Sequence, residues 1–317
     1  MRKTVFMINP MSASGKTALK WPSISTKASS MFPNSEFMFT NGIGEAEELT
    51  RKAIESGAES VIAVGGDGTL NEVVNGYFQS DDTPINPNVS LGVLPMGTGS
   101  DFCRSLGIPR KADKALEVLK LAPRKIDCGI ASVGEKRRFF DNIGSLGISG
   151  DIARHFEAHG KSGISSYVTG LFKSARRYEK RGFSIKYRTG TGAWESRELP
   201  DAFIAVIANG KYFGGGMSIA PQANLNDGLF HCILVKGMSG LEILRYLPSL
   251  FSGRHLKHPP FSDFKANEIQ ISVTAPSWLE LDGEPSLEVT PTQPLTIKIL
   301  QKKLNFHIAD TSIGSDH

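Results

Sequence analysis

Two short glycine-rich stretches hold the residue types best suited to handling phosphate. The first is Gly65-Gly66-Asp67-Gly68-Thr69, set between an apolar run at 61–64 and the apolar residues Leu70, Val73 and Val74 at helical spacing. The order is strand, glycine turn, helix. Glycine lets the backbone approach a ligand closely, and a helix start offers unpaired N–H groups to an anion. Asp67 sits among those amides as a lone carboxylate, which repels phosphate unless a cation intervenes. A metal, or a water bound to one, is the natural occupant beside it. The second stretch, Pro95-Met96-Gly97-Thr98-Gly99-Ser100-Asp101-Phe102, follows another apolar run at 91–94 and again joins a glycine turn to an acid. The same glycines would serve a plain strand-to-helix turn, and Asp67 is what shifts the reading toward phosphate.

A third loop needs care. Gly15-Lys16-Thr17 is the back half of a phosphate-binding P-loop, but Pro10 stands where its first glycine belongs. Proline supplies neither the amide nor the backbone freedom of that position, which argues against a P-loop NTPase. The loop still brings amides and small hydroxyls toward a nucleotide.

The elements that must position these loops are legible in outline. Short strands are expected at 3–8, 36–40, 61–64 and 91–94, alternating with helices at 46–56, after Thr69, and at 111–121. Alternation of this kind predicts an open, mostly parallel α/β sheet with its site at the strand C-termini. From Cys128 onward the pattern is mostly strands: 128–133, 138–143, 182–188, 202–208, 229–235, 268–273, 278–282 and 295–300. Helical stretches at 165–180 and 240–251 interrupt them. A second, largely antiparallel and sandwich-like domain is expected, with the boundary near 125–130. The division is then 1–127 for nucleotide and 128–302 for acceptor, with a tail at 303–317 packing back onto the first.

Composition narrows the partners. Of 317 residues 40% are hydrophobic and 21% charged, which is ordinary for a globular protein. A net charge of +4, with no basic stripe interleaved with aromatics, argues against nucleic acid. No apolar run approaches the ~20 residues that span a bilayer, and the basic start of the chain reads as a first strand and not a leader. Cys103, Cys128 and Cys232 are odd in number and far apart, so a disulfide or zinc framework is not expected. His155 and His159 at i, i+4 lack a marked third ligand and read as a solvated helix face.

The wording of the glycine stretches resembles a known family. Gly-Gly-Asp-Gly-Thr is similar to the nucleotide loop of diacylglycerol, sphingosine and NAD kinases and of phosphofructokinases. Gly97-Thr98-Gly99-Ser100-Asp101-Phe102, with Arg104-Ser-Leu-Gly-Ile-Pro109, resembles a stretch of the diacylglycerol kinase catalytic family that NAD kinases lack. Ser100 and Cys103 replace the usual Asn and Ala. Further resemblances follow in order along the chain: Lys125-Ile-Asp127, Asn142-Ile-Gly-Ser-Leu-Gly147, Asn209–Met217, Pro221–Phe230 and Asp282-Gly283-Glu284.

What the resemblance implies is an ATP- and Mg²⁺-dependent lipid kinase, like the soluble bacterial branch of that family. Moving a γ-phosphoryl onto an alcohol needs charge neutralisation, in-line positioning and removal of the hydroxyl proton. Glu284 is the implied general base, with Asp282 beside it. Asn9, Ser14, Gly15, Lys16, Thr40, Gly65, Gly66, Asp67, Gly68, Thr69, Asn71, Glu72, Gly97, Thr98, Asp101 and Asp127 are implied at the nucleotide. A structural Mg²⁺ is implied at Asp227 with main-chain carbonyls near Asn224 and Leu229. Diacylglycerol is the default acceptor; a sphingoid base, ceramide, phosphatidylglycerol and NAD remain alternatives, as does a binding module without catalysis. A cytoplasmic protein that meets an anionic membrane peripherally is expected, through residues 171–181 or 241–261; a homodimer is left open.

Overall fold

The structure is a computed structural model and describes residues 2–159, 178–179, 181–238 and 240–309. The chain divides into two units, Met1–Asp127 with the segment from Gln301 onward, and Cys128–Leu300.

The first unit is built on parallel strands β1 (Thr4–Ile8), β2 (Ser35–Phe39), β3 (Ser60–Gly65) and β4 (Ser90–Pro95), in the order β2-β1-β3-β4. Every residue of β1, β3 and β4 is buried, as parallel strands covered on both faces must be. Phe306 pairs with Leu91 and extends the sheet beyond β4. The connecting helices are α1 (Lys16–Met31), α2 (Glu45–Glu55), α3 (Asp67–Tyr77), α4 (Asp101–Ser105) and α5 (Ala112–Val118). The sequence carries no helical signal at α1, because Pro22 and a run rich in serine both weaken it. The helix persists because it buries Trp21 and Ala28; Trp21 lies 5.2 Å from Phe37 and 6.1 Å from Phe6, centroid to centroid.

The second unit is antiparallel. Its strands are β5 (Arg124–Val133, entering from the first unit), β6 (Lys136–Phe140), β7 (Ile143–Gly147), β8 (Arg181–Arg188), β9 (Glu195–Ala208), β10 (Phe230–Lys236), β11 (Phe261–Ala266), β12 (Glu268–Val273), β13 (Ser277–Leu281), β14 (Glu284–Val289) and β15 (Leu295–Phe306, returning to the first unit from Gln301). The path runs β14-β13-β7-β9-β8-β12-β15, with β10 on β9 and β11 on β10. Helices α6 (Ile148–His159) and α7 (Gly240–Phe251) join it, with a 3-10 turn at His255–Lys257. One core gathers Phe140, Phe183, Phe230, Leu279 and Leu295, where Phe140 and Phe230 stack at 5.6 Å. A second lies around Ile143, Ile152, Val206, Ile219 and Phe261.

Several expected boundaries move. The single strand expected at 138–143 is two, β6 and β7, broken at Asp141–Asn142. Strands β11 and β14 go unassigned by the sequence pattern, and α6 is foreseen only as the helix face of His155 and His159. Of the helical stretch expected at 165–180, all but Tyr178 and Glu179 lies outside the described residues.

Candidate active site

In the first unit the glycine turns meet. β3 and β4 lie side by side with Gly65 opposite Pro95, so both turns leave the same sheet edge. The Gly65 carbonyl accepts the N–H groups of Met96 and Gly97, each at 2.9 Å. A Cβ added to Gly97 would fall 2.3 Å from the Gly66 Cα, so glycine at 97 is required by close approach. Asn9 joins from β1: its Nδ2 donates to Thr69 Oγ1 at 3.0 Å, and its Oδ1 accepts the Met11 N–H. Helix α3 starts at this point with Gly66 as N-cap and no side-chain cap. Amides, small hydroxyls and a helix start therefore converge, the combination that binds phosphate.

Two acids face that cradle. Asp67 accepts the N–H of Asp101 through Oδ2 at 3.2 Å and that of Phe102 through Oδ1 at 3.3 Å. A Cβ on Gly99 would lie 3.2 Å from Asp67 Oδ2 and 3.8 Å from Asp101 Oδ2, so both carboxylates lie beside Gly99. Hard oxygen donors beside a phosphate cradle fit Mg²⁺ carried by a nucleotide. Arg104 Nε approaches Asp101 at 3.8 Å, and Arg110 donates to the Thr98 carbonyl at 2.9 Å.

The other implied nucleotide residues fall into different settings. Glu72 accepts the N–H groups of Gly44 and Ala46 at 2.9 and 3.0 Å, capping α2 from its neighbour α3. Thr40 is buried and its N–H donates to the Ile8 carbonyl. Asn71 is buried and takes the Asn75 amide on its side-chain and main-chain oxygens. Ser14 and Gly15 adopt left-handed backbone (φ 57 and 83), and the Gly15, Lys16 and Thr17 amides bond back within their own loop. That self-bonding spends the amides a P-loop would direct at phosphate; the exposed Lys16 side chain remains for an anion. Asp127 is fully buried, and its Oδ1 accepts the Lys302 N–H at 2.7 Å.

In the second unit Asp282 and Glu284 have opposite surroundings. Asp282 is 6% exposed and accepts three backbone N–H groups: Asp141 at 3.1 Å, Asn142 at 3.1 Å and Ile143 at 2.9 Å. It fixes the turn between β6 and β7. Glu284, two residues on, is exposed at the start of β14. The three backbone donors give Asp282 a structural role, whereas the Glu284 side chain reaches the surface. Glu280, a further buried acid on β13, receives no role from sequence reasoning; only the cross-strand register exposes it.

The implied structural metal loop holds an ammonium. Asp227 Oδ1 accepts the Leu229 N–H at 3.1 Å, and Oδ2 lies 3.0 Å from Lys265 Nζ. Asn224 Oδ1 accepts the Asn226 N–H. The Lys265 ammonium thus lies on the carboxylate that the resemblance gives to a metal. Among the described residues no cluster of three or more His, Cys, Asp or Glu forms a metal site.

A parallel α/β unit with a doubled glycine cradle, joined to an antiparallel sandwich-like unit bearing acids, has the build of a kinase. Residues 3–131 match the diacylglycerol kinase catalytic domain, and residues 143–306 match the YegS C-terminal NAD kinase beta sandwich-like domain. The chain is 31% identical over 254 residues to a Bacillus subtilis diacylglycerol kinase, covering 77% of each. It is 33% identical over 251 residues to a Citrobacter koseri protein named probable lipid kinase YegS-like, covering 76% of this chain and 77% of that one. A solved diacylglycerol kinase structure from Bacillus anthracis superposes with a TM-score of 0.70 at 21% identity, over 98% of each chain. Yeast NADH kinase shares the fold more distantly, at a TM-score of 0.52 and 12% identity, over 98% of this chain and 84% of that one. The chain belongs to the diacylglycerol kinase catalytic family of lipid kinases. It is a phosphotransferase with an alcohol acceptor, and membership implies ATP as donor.

Proposed function

We propose that this kinase transfers the γ-phosphoryl of ATP to the hydroxyl of diacylglycerol, giving phosphatidic acid. The observation that carries the reading is the joining of the two glycine turns by Asp67, because the second turn is the one that NAD kinases lack. The amides of Gly66–Thr69 and Gly97–Gly99 would receive phosphate, and Asp67 and Asp101 would hold the nucleotide's Mg²⁺. Magnesium, when bound, neutralises charge developing on the phosphoryl oxygens. Glu284 takes the hydroxyl proton as the acceptor oxygen bonds to the γ-phosphorus and the bond to the bridging oxygen breaks, ADP leaving with that oxygen, while Asp282 keeps its neighbouring turn rigid. The test is ADP release against diacylglycerol, sphingosine, ceramide and phosphatidylglycerol in mixed micelles, with NAD as comparator. Release should depend on diacylglycerol; turnover of NAD, or ATP hydrolysis indifferent to lipid, would overturn the assignment.

The acceptor lies at a bilayer surface, and no helix among the described residues is long and apolar enough to cross one. Docking at an anionic membrane through α7 and the 3-10 turn completes the proposal. Tyr246, Leu247 and Leu250 pack α7 against the core around Ile219 and Phe261. Arg245, Arg254 and Lys257 are exposed, and Phe251 is 43% exposed in the same segment. Exposed cations and an exposed aromatic in one segment suit an anionic lipid surface. The other candidate segment, 171–181, lies largely outside the described residues.

A further inference from the structure

The turn that presents Glu284 is tied down by an acid that does not lie in the Asp-Gly-Glu motif. Glu280 is 6% exposed on β13, directly opposite Ser145 of β7. Its Oε2 accepts the Ser145 hydroxyl at 2.6 Å. Its Oε1 accepts the N–H of Gly283, the residue between Asp282 and Glu284, at 2.8 Å. Ser145 Oγ lies 2.8 Å from Ser149 Oγ, in the first turn of α6, so the acid bridges the turn to two further elements. Leu281 pairs with Glu284 across the hairpin, and Asp282 and Gly283 between them are both left-handed, φ 51 and 88.

That pattern is the type I′ Asp-Gly hairpin, which forms readily without help from a buried acid. Burying a carboxylate is costly, and an apolar residue of similar volume is commonly no less stable at such a site. Stability alone therefore does not account for Glu280. Two of its contacts are the one amide that precedes Glu284 and the strand behind it. We propose that Glu280 is a positioning residue for phosphoryl transfer: it fixes the Gly283 N–H and so sets the direction in which the chain delivers the Glu284 carboxylate. The inference rests on the reading of Glu284 as the proton acceptor. A base must lie within hydrogen-bond reach of its proton, and a displacement of about 1 Å costs about 10²-fold in rate.

The test is a double-mutant cycle, with diacylglycerol in detergent micelles as acceptor and with ATP binding and melting temperature measured in parallel. Glu280→Leu removes the anchor; it should fold, bind ATP as before and lose about 10²-fold in kcat. Glu280→Gln keeps an oxygen for the Gly283 N–H and should recover most of that loss. Added to Glu284→Gln, Glu280→Leu should cost nothing further, because it acts only through that carboxylate. Wild-type kcat in the leucine variant, no rescue by glutamine, or multiplicative losses in the double variant would overturn the inference. Should the leucine variant not fold, Ser145→Ala leaves the Gly283 bond in place but unpins the other oxygen. It should lower kcat several-fold at unchanged ATP affinity, and an unchanged kcat would be equally fatal. Near-normal turnover in Glu284→Gln would instead sink the base assignment itself, a result separable from an inactive Glu284→Gln beside a fully active Glu280→Leu.

Discussion

The carboxylate of Asp67 accepts the backbone N–H of Asp101 at 3.2 Å, so the acid of one glycine turn caps the short helix α4 that begins the other. Its second oxygen takes the Phe102 N–H at 3.3 Å. One residue thus has both a structural and a chemical duty, and substitutions can separate them. Asp67→Asn retains an oxygen to accept from α4 and should change stability little. Asp67→Ala should cost about 1 kcal/mol through the lost cap. Both remove the charge that the reading assigns to Mg²⁺–ATP, so both should lose activity and Mg²⁺-dependent ATP binding. Calorimetric titration with and without Mg²⁺, beside melts followed by circular dichroism, checks this. Unchanged Mg²⁺-dependent turnover in Asp67→Asn would leave the turn a structural feature only.

The close contact of the two turns makes a second, steric prediction. Gly97→Ala sets a methyl 2.3 Å from the Gly66 Cα, with backbone and not a flexible side chain in the way. The turns must separate, at an overpacking cost of about 1–3 kcal/mol. Apparent KM for ATP should rise, with the rise in KM larger than the fall in melting temperature would suggest. Gly42→Ala is the control, since a Cβ there meets nothing within 4 Å. Equal ATP kinetics in the two variants would mean that the spacing of the turns does not matter.

Local signals made the glycine turns legible: a β-branched run, glycines and an acid stand next to one another in the chain. What the sequence could not reveal is that Asp67 and Asp101 share a hydrogen bond, because that follows from β3 pairing with β4. The break at Asp141–Asn142 was hidden for the same reason. Phe139 to Ile143 reads as one strand, and the carboxylate that accepts the freed amides, Asp282, lies up to 141 residues away. Helix α1 was missed because Pro22 speaks against a helix locally, while the burial of Trp21 that stabilises it is a tertiary effect. Glu280 carried no signal because an acid next to Asp-Gly-Glu reads as part of a charged turn until its burial and its Ser145 partner are seen.

A buried histidine in the first unit predicts a pH dependence of stability. The partners of His307 place its proton on Nδ1, which donates to the Leu121 carbonyl at 2.9 Å. Nε2 then accepts from Ser90 Oγ at 3.0 Å and from Arg2 at 2.9 Å. Burial, and secondarily the Arg2 cation, push its pKa down from 6.5 to about 4. The unfolded chain therefore binds the proton more readily than the folded one between those values. Stability from the neutral ring is fully present above pH 6.5 and is lost as pH falls toward 4, by on the order of 3 kcal/mol. Denaturant melts at pH 7.5 and 5 measure the slope. His307→Gln, which can donate and accept in the same places but cannot titrate, should flatten it; an identical slope in the variant would mean that other groups set the acid sensitivity.

The last prediction concerns how the kinase reaches its lipid. If α7 and the following 3-10 turn dock on an anionic bilayer, Arg245, Arg254 and Lys257 each contribute about 1 kcal/mol near the surface. Together that is about 3 kcal/mol, or about two powers of ten in vesicle affinity. Binding to vesicles containing phosphatidylserine should exceed binding to zwitterionic vesicles, and should weaken as salt rises. Arg245→Glu with Arg254→Glu should raise the apparent KM for vesicle-borne diacylglycerol while leaving KM for ATP unchanged. Both side chains are exposed, so the fold should tolerate the change. Phe251→Ser adds a control for the apolar share, because it should weaken binding equally at low and high salt. Exposed Glu242 lies on the same helix and opposes the basic residues, so Glu242→Gln should tighten binding slightly. Vesicle sedimentation at two salt concentrations, with kinetics on each variant, decides the matter. Binding that ignores salt, and a double reversal that leaves the lipid KM where it was, would remove this face from consideration.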